Sequence, residues 1–269
     1  MSASYDYATN LNDEQWAAIE PFLPKPKWHP GGPGRQPRDL RTVVNGIFYV
    51  NKTGCPWYLL PRDFGPNRTT YGYFRRWREQ GVWATLLERL RKWERRDQGR
   101  LEEPSAACAD SQSIKIMTQS EEVGFDGNKK IKGRKRHILV DTLGLLLAVV
   151  VTSANTDDRQ GLKTLLTQYF ASGVKRLRKI WVDAGYEAKW LKDWVSELKK
   201  THKIDLEVVE HHGKGFQVVA HRWKVERTFS WISNDRRNAR DYETLPASSE
   251  AMIQISTIRM LLKRMTYEF

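Results

Sequence analysis

Residues 137–152 read HILVDTLGLLLAVVVT, two apolar runs separated by the turn-forming sequence Thr142-Leu143-Gly144. Short runs rich in Val, Ile and Leu that are bounded by a glycine-containing turn are typical of antiparallel strands joined as a hairpin. We therefore predict strands over 137–141 and 145–152, and interpret Asp141 as part of the turn. The remaining predicted elements are ordered around this hairpin.

Strand and helix patterns alternate on both sides of the hairpin. Apolar runs predict further strands at 106–109, 179–183 and 205–210. Helical periodicity predicts helices at 158–172, 188–200 and 221–234, and a final amphipathic helix at about 247–265. This is the element order of a ribonuclease H-like fold, in which three antiparallel strands precede parallel strands connected by helices. The predicted fold class is α/β, with a mixed five-stranded sheet.

The first hundred residues have a different pattern, made of short helices and turns. Asn12 and Gln15 stand at the spacing of a capping box and predict the start of a helix. Further helical patterns lie at 39–51, after Pro66 and at 82–96. The pattern changes around Gly99–Pro104. We therefore predict an all-α domain at 1–104 and the ribonuclease H-like domain at 105–269.

The predicted helix after Pro66 has aromatic residues on one side and arginines on the other. Short helices, a turn and an arginine-rich exposed face resemble a helix-turn-helix that reads DNA. The candidate DNA-contacting residues are Arg68, Arg75, Arg76 and Arg78. The alternative is that these are ordinary solvated helix faces packed on an aromatic core.

The composition indicates a polyanionic partner. The chain has 45 Lys and Arg against 32 Asp and Glu, a formal net charge of +13. Neutralising phosphates releases condensed counterions and favours binding whatever the base sequence, although a solvated surface without a partner is the alternative. Two distant cysteines, no apolar stretch of roughly 18 residues and no signal-peptide pattern favour a cytoplasmic, nucleoid-associated protein without a membrane partner.

Three carboxylates stand in the contexts that a two-metal phosphoryl-transfer site needs. Asp110 and Asp183 each follow a short apolar run, where a buried strand would deliver the side chain to a sheet edge. Glu226 lies instead on a helical pattern with basic neighbours. Such a set can converge on two divalent cations about 3.5–4 Å apart, and Mg²⁺ suits these hard oxygen ligands.

The helical pattern around Glu226 predicts a basic stripe beside the carboxylate. At about 100° per residue, Arg222, Glu226, Ser233 and Arg237 share one exposed face. The opposite, core-facing side is predicted to hold Trp223, Val225, Trp231 and Ile232. In such an arrangement the carboxylate can bind a metal ion while the flanking guanidinium groups bind the scissile phosphate.

Several motifs together carry a family resemblance. ADSQSIK, the basic run before HILVDTLG, VDAGYE and ERTFSW resemble DDE transposases of bacterial insertion sequences, and LNDEQWAAIEPFLP resembles the family's leader domain. The resemblance implies a ribonuclease H-like catalytic domain, dependence on Mg²⁺ or Mn²⁺ with two ions per site, and cutting and joining at inverted-repeat ends. By it, Asp110, Asp183 and Glu226 form the metal-binding triad, and Arg222 is the family's arginine.

The chain departs from the family's Tyr-Arg-Glu-Lys signature at two positions. Val219 stands in place of the tyrosine and Ser233 in place of the lysine. Arg236 or Arg237 is a candidate replacement for the missing lysine charge. The valine removes a possible stacking group near the DNA end, which leaves open whether a hairpin intermediate forms.

A basic run precedes the hairpin and is a candidate phosphate track. Its proposed DNA-contacting residues are Lys129, Lys130, Lys132, Arg134, Lys135 and Arg136. Such backbone contacts position DNA without reading its bases. The alternative is a solvated loop. Lys214 is a further candidate DNA contact, and Asp157-Asp158 is interpreted as a helix N-cap.

These features predict a DNA transposase that cleaves the ends of its element and joins them to target DNA. The predicted partners are double-stranded inverted-repeat ends, double-stranded target DNA and a second copy of the chain in a homodimer. A metal-dependent nuclease or resolvase that cuts without joining is one alternative. A domesticated DNA-binding protein without catalytic activity is the other.

Overall fold

A computed structural model of the chain describes residues 6–25, 28–29, 31, 36–209 and 222–265, with the backbone alone at Arg222. Its N-terminal region contains the helices α1 (Asp13–Ile19), α2 (Leu40–Thr53), α3 (Asn67–Glu79) and α4 (Val82–Asp97). The predicted capping box is confirmed, because Gln15 N donates to Asn12 Oδ1 at 2.8 Å and Asn12 N donates to Gln15 Oε1 at 3.2 Å. All four helices predicted for this region form.

In the described part of the chain, six strands form one sheet: β1 (Ala106–Lys115), β2 (Gly124–Asp126), β3 (Ile131–Asp141), β4 (Leu146–Ser153), β5 (Lys179–Asp183) and β6 (Asp205–Val209). β3 is antiparallel to β1, β2 and β4, whereas β5 is parallel to β1 and β6. Antiparallel strands therefore precede helix-connected parallel strands, as expected. The ribonuclease H-like fold class is confirmed.

The sheet is larger than predicted. β1 continues to Lys115 and β3 begins at Ile131, so the basic run from Lys132 to Arg136 lies on a central strand. The antiparallel pairing of β1 with β3 extends from Ala107 opposite Asp141 to Lys115 opposite Gly133. Both strands can be this long because the backbone of each one supplies the hydrogen-bond partners of the other. The start of β3 also pairs with the short strand β2, so the predicted five-stranded sheet has a sixth strand.

The turn of the β3–β4 hairpin depends on Asp141. Its Oδ1 accepts hydrogen bonds from Leu143 N at 2.8 Å and Leu145 N at 2.9 Å, which confirms its predicted role in the turn. Its other oxygen forms a buried ion pair with Arg95 of α4. The hairpin is thus joined directly to the last N-terminal helix.

The described residues also contain five α-helices that follow β4: α5 (Asp158–Ala171), α6 (Lys189–His202), α7 (Arg222–Ser233), α8 (Arg236–Ala239) and α9 (Pro246–Met265). α5 and α6 cover one face of the sheet, where Leu139, Leu165 and Leu191 share a core cluster. α7 and α9 cover the other face. In the described part of the chain, no helix is both long and apolar enough to cross a membrane.

Helix α9 lies in a core that the N-terminal helices share with the sheet. Its buried Ile255 and Ile258 belong to a cluster that includes Phe48 of α2 and Val140 of β3. Asn51 of α2 also donates to the Met252 carbonyl at 3.0 Å. The domain boundary predicted near residue 104 lies between α4 and β1, and the hydrophobic core continues across it. The division into two domains stays a prediction.

Candidate active site

Asp110 and Asp183 lie at the same level on neighbouring parallel strands. The described β1–β5 pairing ends with Cys108 opposite Trp181, and the same register continued by two residues puts Asp110 level with Asp183. Adjacent strands lie about 4.8 Å apart. Asp110 was expected at the end of a strand; it lies in the middle of β1 instead, beside the end of the shorter β5.

Both aspartates project towards α7. Cys108 and Trp181, two residues before them, pack with the core cluster that contains Val225 of α7. Side chains alternate along a strand, so Asp110 and Asp183 point to the same side. Together with Val225 they line one narrow cleft. The structure therefore brings two of the three predicted carboxylates to a common opening.

Each aspartate is oriented by a backbone hydrogen bond. Ser111 N donates to Asp110 Oδ1 at 2.7 Å, and Gly185 N donates to Asp183 Oδ1 at 2.9 Å. The second bond caps the start of a 3-10 turn, Ala184–Tyr186, that directly follows β5. Both carboxylate side chains are half-buried. The fold thus fixes their direction and still leaves part of each to solvent.

Glu226 follows Val225 on α7, the helix that packs against β1, β3 and β5. Its side chain is exposed. Among the described residues, no three His, Cys, Asp or Glu side chains are grouped closely enough to hold a metal ion. Asp110 and Asp183 fit a hard divalent cation by their oxygen chemistry and their shared cleft, and Glu226 is the residue after Val225, which lines that cleft.

The other sequence-predicted positions around α7 are Lys214, Val219, Arg222 and Ser233. Lys214 and Val219 lie outside the described residues, and Arg222 begins α7 with only its backbone described. Ser233 is half-buried at the end of α7. The consequences of the two departures from the family signature therefore stay predictions.

The predicted basic stripe does not extend to Arg237. α7 ends at Ser233 and α8 begins at Arg236, so the helical phase is broken between them. Arg237 is buried, and its Nε donates to Glu243 Oε1 at 2.6 Å. Burial raises the pKa of Glu243, and the charge of Arg237 opposes that rise. Arg237 is therefore a structural cation here, whereas Arg236 is exposed.

The basic run is not a continuous phosphate track. Its lysines at 129, 130 and 132 are exposed, but Arg134, Lys135 and Arg136 are buried. Arg134 donates to the Glu243 and Thr244 carbonyls at 2.8 and 2.6 Å. Arg136 donates to the Asn238 carbonyl at 2.8 Å, and burial lowers its pKa to about 10. The prediction was wrong for these three side chains because a central strand is covered on both faces.

The arginines of α3 are mostly exposed. Arg68, Arg75 and Arg76 are on the surface, and the Arg76 guanidinium lies 5.0 Å from the centre of the Tyr73 ring. Arg78 is different, because its Nη1 donates to Ser248 Oγ of α9 at 2.6 Å. The core-facing aromatic side is as expected, with Phe74 and Trp77 buried.

An aromatic and cationic row along α7 was missed by the sequence interpretation. Trp223 was assigned to the core, but 43% of it is exposed. The Arg227 guanidinium lies 4.5 Å from the ring centres of both Trp223 and Trp231. The spacing 223, 227 and 231 follows successive helical turns, which is the signal that could have identified it. The row borders a cavity of about 660 Å³.

Comparison with protein-family models gives two matches. Residues 102–261 match a model described as transposase DDE domain, and residues 11–87 match one described as putative transposase of the IS4/5 family. Together they cover the helical region and the sheet with its helices.

Two curated proteins of Burkholderia cepacia are similar to this chain. The uncharacterized 16.2 kDa protein of insertion element IS402 is 36% identical over 121 residues, which cover 42% of this chain and 78% of that protein. The putative transposase for insertion sequence element IS402 is 28% identical over 111 residues, or 39% of this chain and 51% of that protein. Among solved structures, a chain from the crystal structure of a pre-cleavage Mos1 transpososome matches with 11% identity and a TM-score of 0.30, covering 89% of this chain and 80% of that one.

Proposed function

The chain belongs to the transposase DDE domain family, and from this premise we propose that it cleaves the ends of an insertion sequence and joins them to target DNA. In the first step, the oxygen of water bonds to phosphorus at the element end and the 3′ oxygen leaves as a 3′-OH. In the second step, this 3′ oxygen bonds to a target phosphorus and the target's own 3′ oxygen leaves. The observation that carries the proposal is the shared cleft of Asp110 and Asp183.

Asp110, Asp183 and Glu226 are the proposed ligands of divalent cations, Mg²⁺ or Mn²⁺, with two ions per site. The chemistry that the cations supply when bound is activation of the attacking oxygen and stabilisation of the leaving oxygen. Asp110 and Asp183 would hold them from the sheet, since their carboxylates already share an opening. Glu226 would approach from α7, on which the preceding residue, Val225, lines the same cleft.

The proposed DNA surface consists of basic residues that are not tied into the core. Its members are Arg68, Arg75, Arg76, Lys129, Lys130, Lys132 and Arg236. Arg222 is proposed to contact the scissile phosphate, one helical turn before Glu226. The net charge of +13 supports a polyanionic substrate. Handling two element ends together implies a homodimer.

Strand cleavage by substituted proteins tests the triad. The assay uses a labelled duplex with the terminal inverted repeat, identified from the nucleotides that flank the gene, and a plasmid target in Mg²⁺. Asp110→Asn, Asp183→Asn and Glu226→Gln should each abolish cleavage and leave binding of the duplex nearly intact. Double substitutions should be no worse than single ones, because groups that act as a unit are not additive. Asp193→Asn, an exposed carboxylate on α6, is the matched control.

The same assay separates the proposal from its two alternatives. Labelled 3′ ends that become covalently linked to the plasmid support a transposase, whereas cleavage without linkage identifies a nuclease or resolvase. Binding without any metal-dependent cleavage identifies a DNA-binding protein without catalytic activity. Wild-type turnover by Asp110→Asn or Asp183→Asn would contradict the proposed site.

A further inference from the structure

The two aspartates of the cleft are supported differently by the sheet. Asp110 lies inside β1, opposite Ile138 of β3. Asp183 is the last residue of β5, and the chain leaves the sheet directly after it in the 3-10 turn Ala184–Tyr186. The direction of the Asp183 carboxylate therefore depends on how this turn is held, as well as on the strand.

Gly185, in the middle of this turn, is in contact with the Asp183 carboxylate. Its N–H donates to Asp183 Oδ1 at 2.9 Å. A Cβ atom added at Gly185 would lie 3.0 Å from the same oxygen, so close that the oxygen would have to move by a few tenths of an ångström. The turn thus packs directly on the proposed cation ligand, and a shift of Gly185 would move a hydrogen-bond donor of that ligand.

The carbonyl of Gly185 is held from α5 by Arg159, whose Nε donates to it at 3.1 Å. The guanidinium group is itself anchored, because its Nη1 donates to Asp157 Oδ2 at 3.2 Å. The other oxygen of Asp157 accepts from the Arg159 N–H at 2.9 Å. Of the pair Asp157-Asp158 that was interpreted as an N-cap, Asp157 is the cap and Asp158 is the first residue of the helix.

Helix α5 is a firm support for this contact, since it packs against β1, β3 and β4 as well as against the turn. At the end of the turn, Tyr186 is buried in the same core cluster as Leu162 and Leu165 of α5. Arg159 is half-buried, and it is not among the residues that line the cleft in the described part of the chain. Its influence on the carboxylate would therefore pass through Gly185.

We propose that Arg159 is a positioning residue of the cation site, which fixes the direction of the Asp183 carboxylate by holding Gly185. The proposal rests on the proposed role of Asp110 and Asp183 as cation ligands. Residues that orient metal ligands commonly change affinity or activity by about 10–100-fold when they are altered.

The sign of the effect separates positioning from charge. A positive charge near a cation site repels the cation, so removing an arginine that acts through its charge alone should tighten cation binding. Removing Arg159 as a positioning residue should weaken it, because the Asp183 carboxylate loses its fixed direction. The two roles therefore predict opposite changes in affinity.

The direct test is a titration with Mn²⁺, followed by the electron paramagnetic resonance signal of the free ion. Arg159→Met should weaken Mn²⁺ binding by about tenfold. Arg159→Lys keeps the charge but loses the planar group that contacts Gly185 and Asp157 together, so it should also weaken binding. Arg176→Met is the matched control and should bind as wild type. Arg176 is half-buried, donates to the Glu103 carbonyl at 2.7 Å, and precedes the other end of β5.

A second variant alters the same turn and leaves Arg159 in place. Gly185→Ala puts a Cβ atom against Asp183 Oδ1, and we expect a similar loss of Mn²⁺ affinity. Because both substitutions act through one turn, the double variant should lose less affinity than the two single losses combined. For Arg159→Met, strand cleavage should return close to the wild-type rate at saturating Mn²⁺, with a higher half-saturating concentration.

Three results would overturn the proposal. Unchanged or tighter Mn²⁺ binding by Arg159→Met would show that the contact with Gly185 does not position the carboxylate. Weaker binding of duplex DNA with unchanged Mn²⁺ affinity would make Arg159 a phosphate contact. A lower melting temperature with unchanged Mn²⁺ affinity would make it a folding contact alone. If Arg159→Met does not fold, Arg159→Lys and Gly185→Ala provide the same comparison.

The titration also distinguishes failure of this proposal from failure of the proposed function. Asp110→Asn and Asp183→Asn should abolish Mn²⁺ binding. If they do so while Arg159→Met and Gly185→Ala bind as wild type, Arg159 has no positioning role and the proposed function stands. If the wild-type protein does not bind Mn²⁺, or Asp183→Asn leaves binding unchanged, the proposed function fails and the role of Arg159 fails with it.

Discussion

The two basic regions that were predicted to contact DNA are built in opposite ways. On α3, three of the four arginines are exposed, and Arg78 is the one that bonds to another element. In the segment 129–136, the lysines before Gly133 are exposed, whereas the three cations after it are buried. A surface helix turns one stripe inward and leaves the rest in solvent. After Gly133, the central strand β3 is buried and has no such free side.

This difference shows that a run of positive charge identifies a DNA surface only where its element leaves the side chains exposed. Buried cations need partners, because an uncompensated charge in the interior is very costly. Arg134 has Asp241 and several carbonyls, and Lys135 has Asp158. These side chains hold the sheet to its helices. The proposed DNA contacts are the exposed ones.

The largest expected effect is on stability, from the buried half of the basic segment. Arg134→Met should reduce the free energy of unfolding by about 3–5 kcal/mol, because it leaves the buried carboxylate of Asp241 without its cation. Urea unfolding followed by circular dichroism measures this. Lys132→Met, an exposed position on the same strand, is the control and should change stability by less than about 0.5 kcal/mol. If the two variants were equally stable, the buried and the exposed halves of the basic segment would not differ in their contribution to stability.

The next effect is a pH dependence from the same strand. Burial lowers the pKa of His137 to about 4, and the charge of Asp158 opposes that shift. Between pH 6.5 and 4 the unfolded chain therefore binds a proton that the folded chain does not, so stability falls as the pH falls, by up to about 3 kcal/mol. His137→Gln should flatten this slope in unfolding experiments at several pH values.

A smaller effect is expected on DNA discrimination from α3. Arg75→Ala or Arg76→Ala should reduce the preference for element ends over random duplex by about 1–3 kcal/mol where a bidentate base contact is lost. Competition binding measures the preference. Arg78→Ala should affect stability more than preference, because the Arg78 guanidinium donates to Ser248. If Arg78→Ala costs the preference and the other two do not, α3 does not read DNA through its exposed face.

The smallest effect on preference is expected from the exposed half of the basic segment. Replacing Lys129, Lys130 and Lys132 together by Ala should weaken binding to all duplexes alike. The slope of log affinity against log salt should flatten by about 0.9 for each phosphate contact removed. Competition binding across a salt series tests this. The opposite result would be that the lysine variant loses the preference for element ends while the α3 variants keep it. The lysines would then read the element ends, and the α3 region would be a better candidate for dimerisation.

Sequence patterns were sufficient for much of the fold and for part of the site. The element order, the Asn12–Gln15 capping box and the hairpin turn at Asp141 depend on short-range signals, and all three were confirmed. The motif resemblance was also confirmed by the family match. Asp110 and Asp183 could be placed on strands for the same reason, since each follows an apolar run. The predicted helix 221–234 ends within one residue of α7, but the face of Arg222 and Glu226 was extended past that end to Arg237, which lies on α8.

The sequence by itself determined the α/β fold class, the identity of the two strand-borne aspartates and the cationic character of the protein. These depend on residue type and local spacing. Only the tertiary structure decided that Arg134 and Arg136 are interior, that Trp223 is exposed, and that Ser111 meets Asp158 behind the cleft. The physical reason is that burial depends on which distant segments cover each face of a strand or helix. Those neighbours, such as α5 behind β1 and α9 beside β4, are far away in the chain.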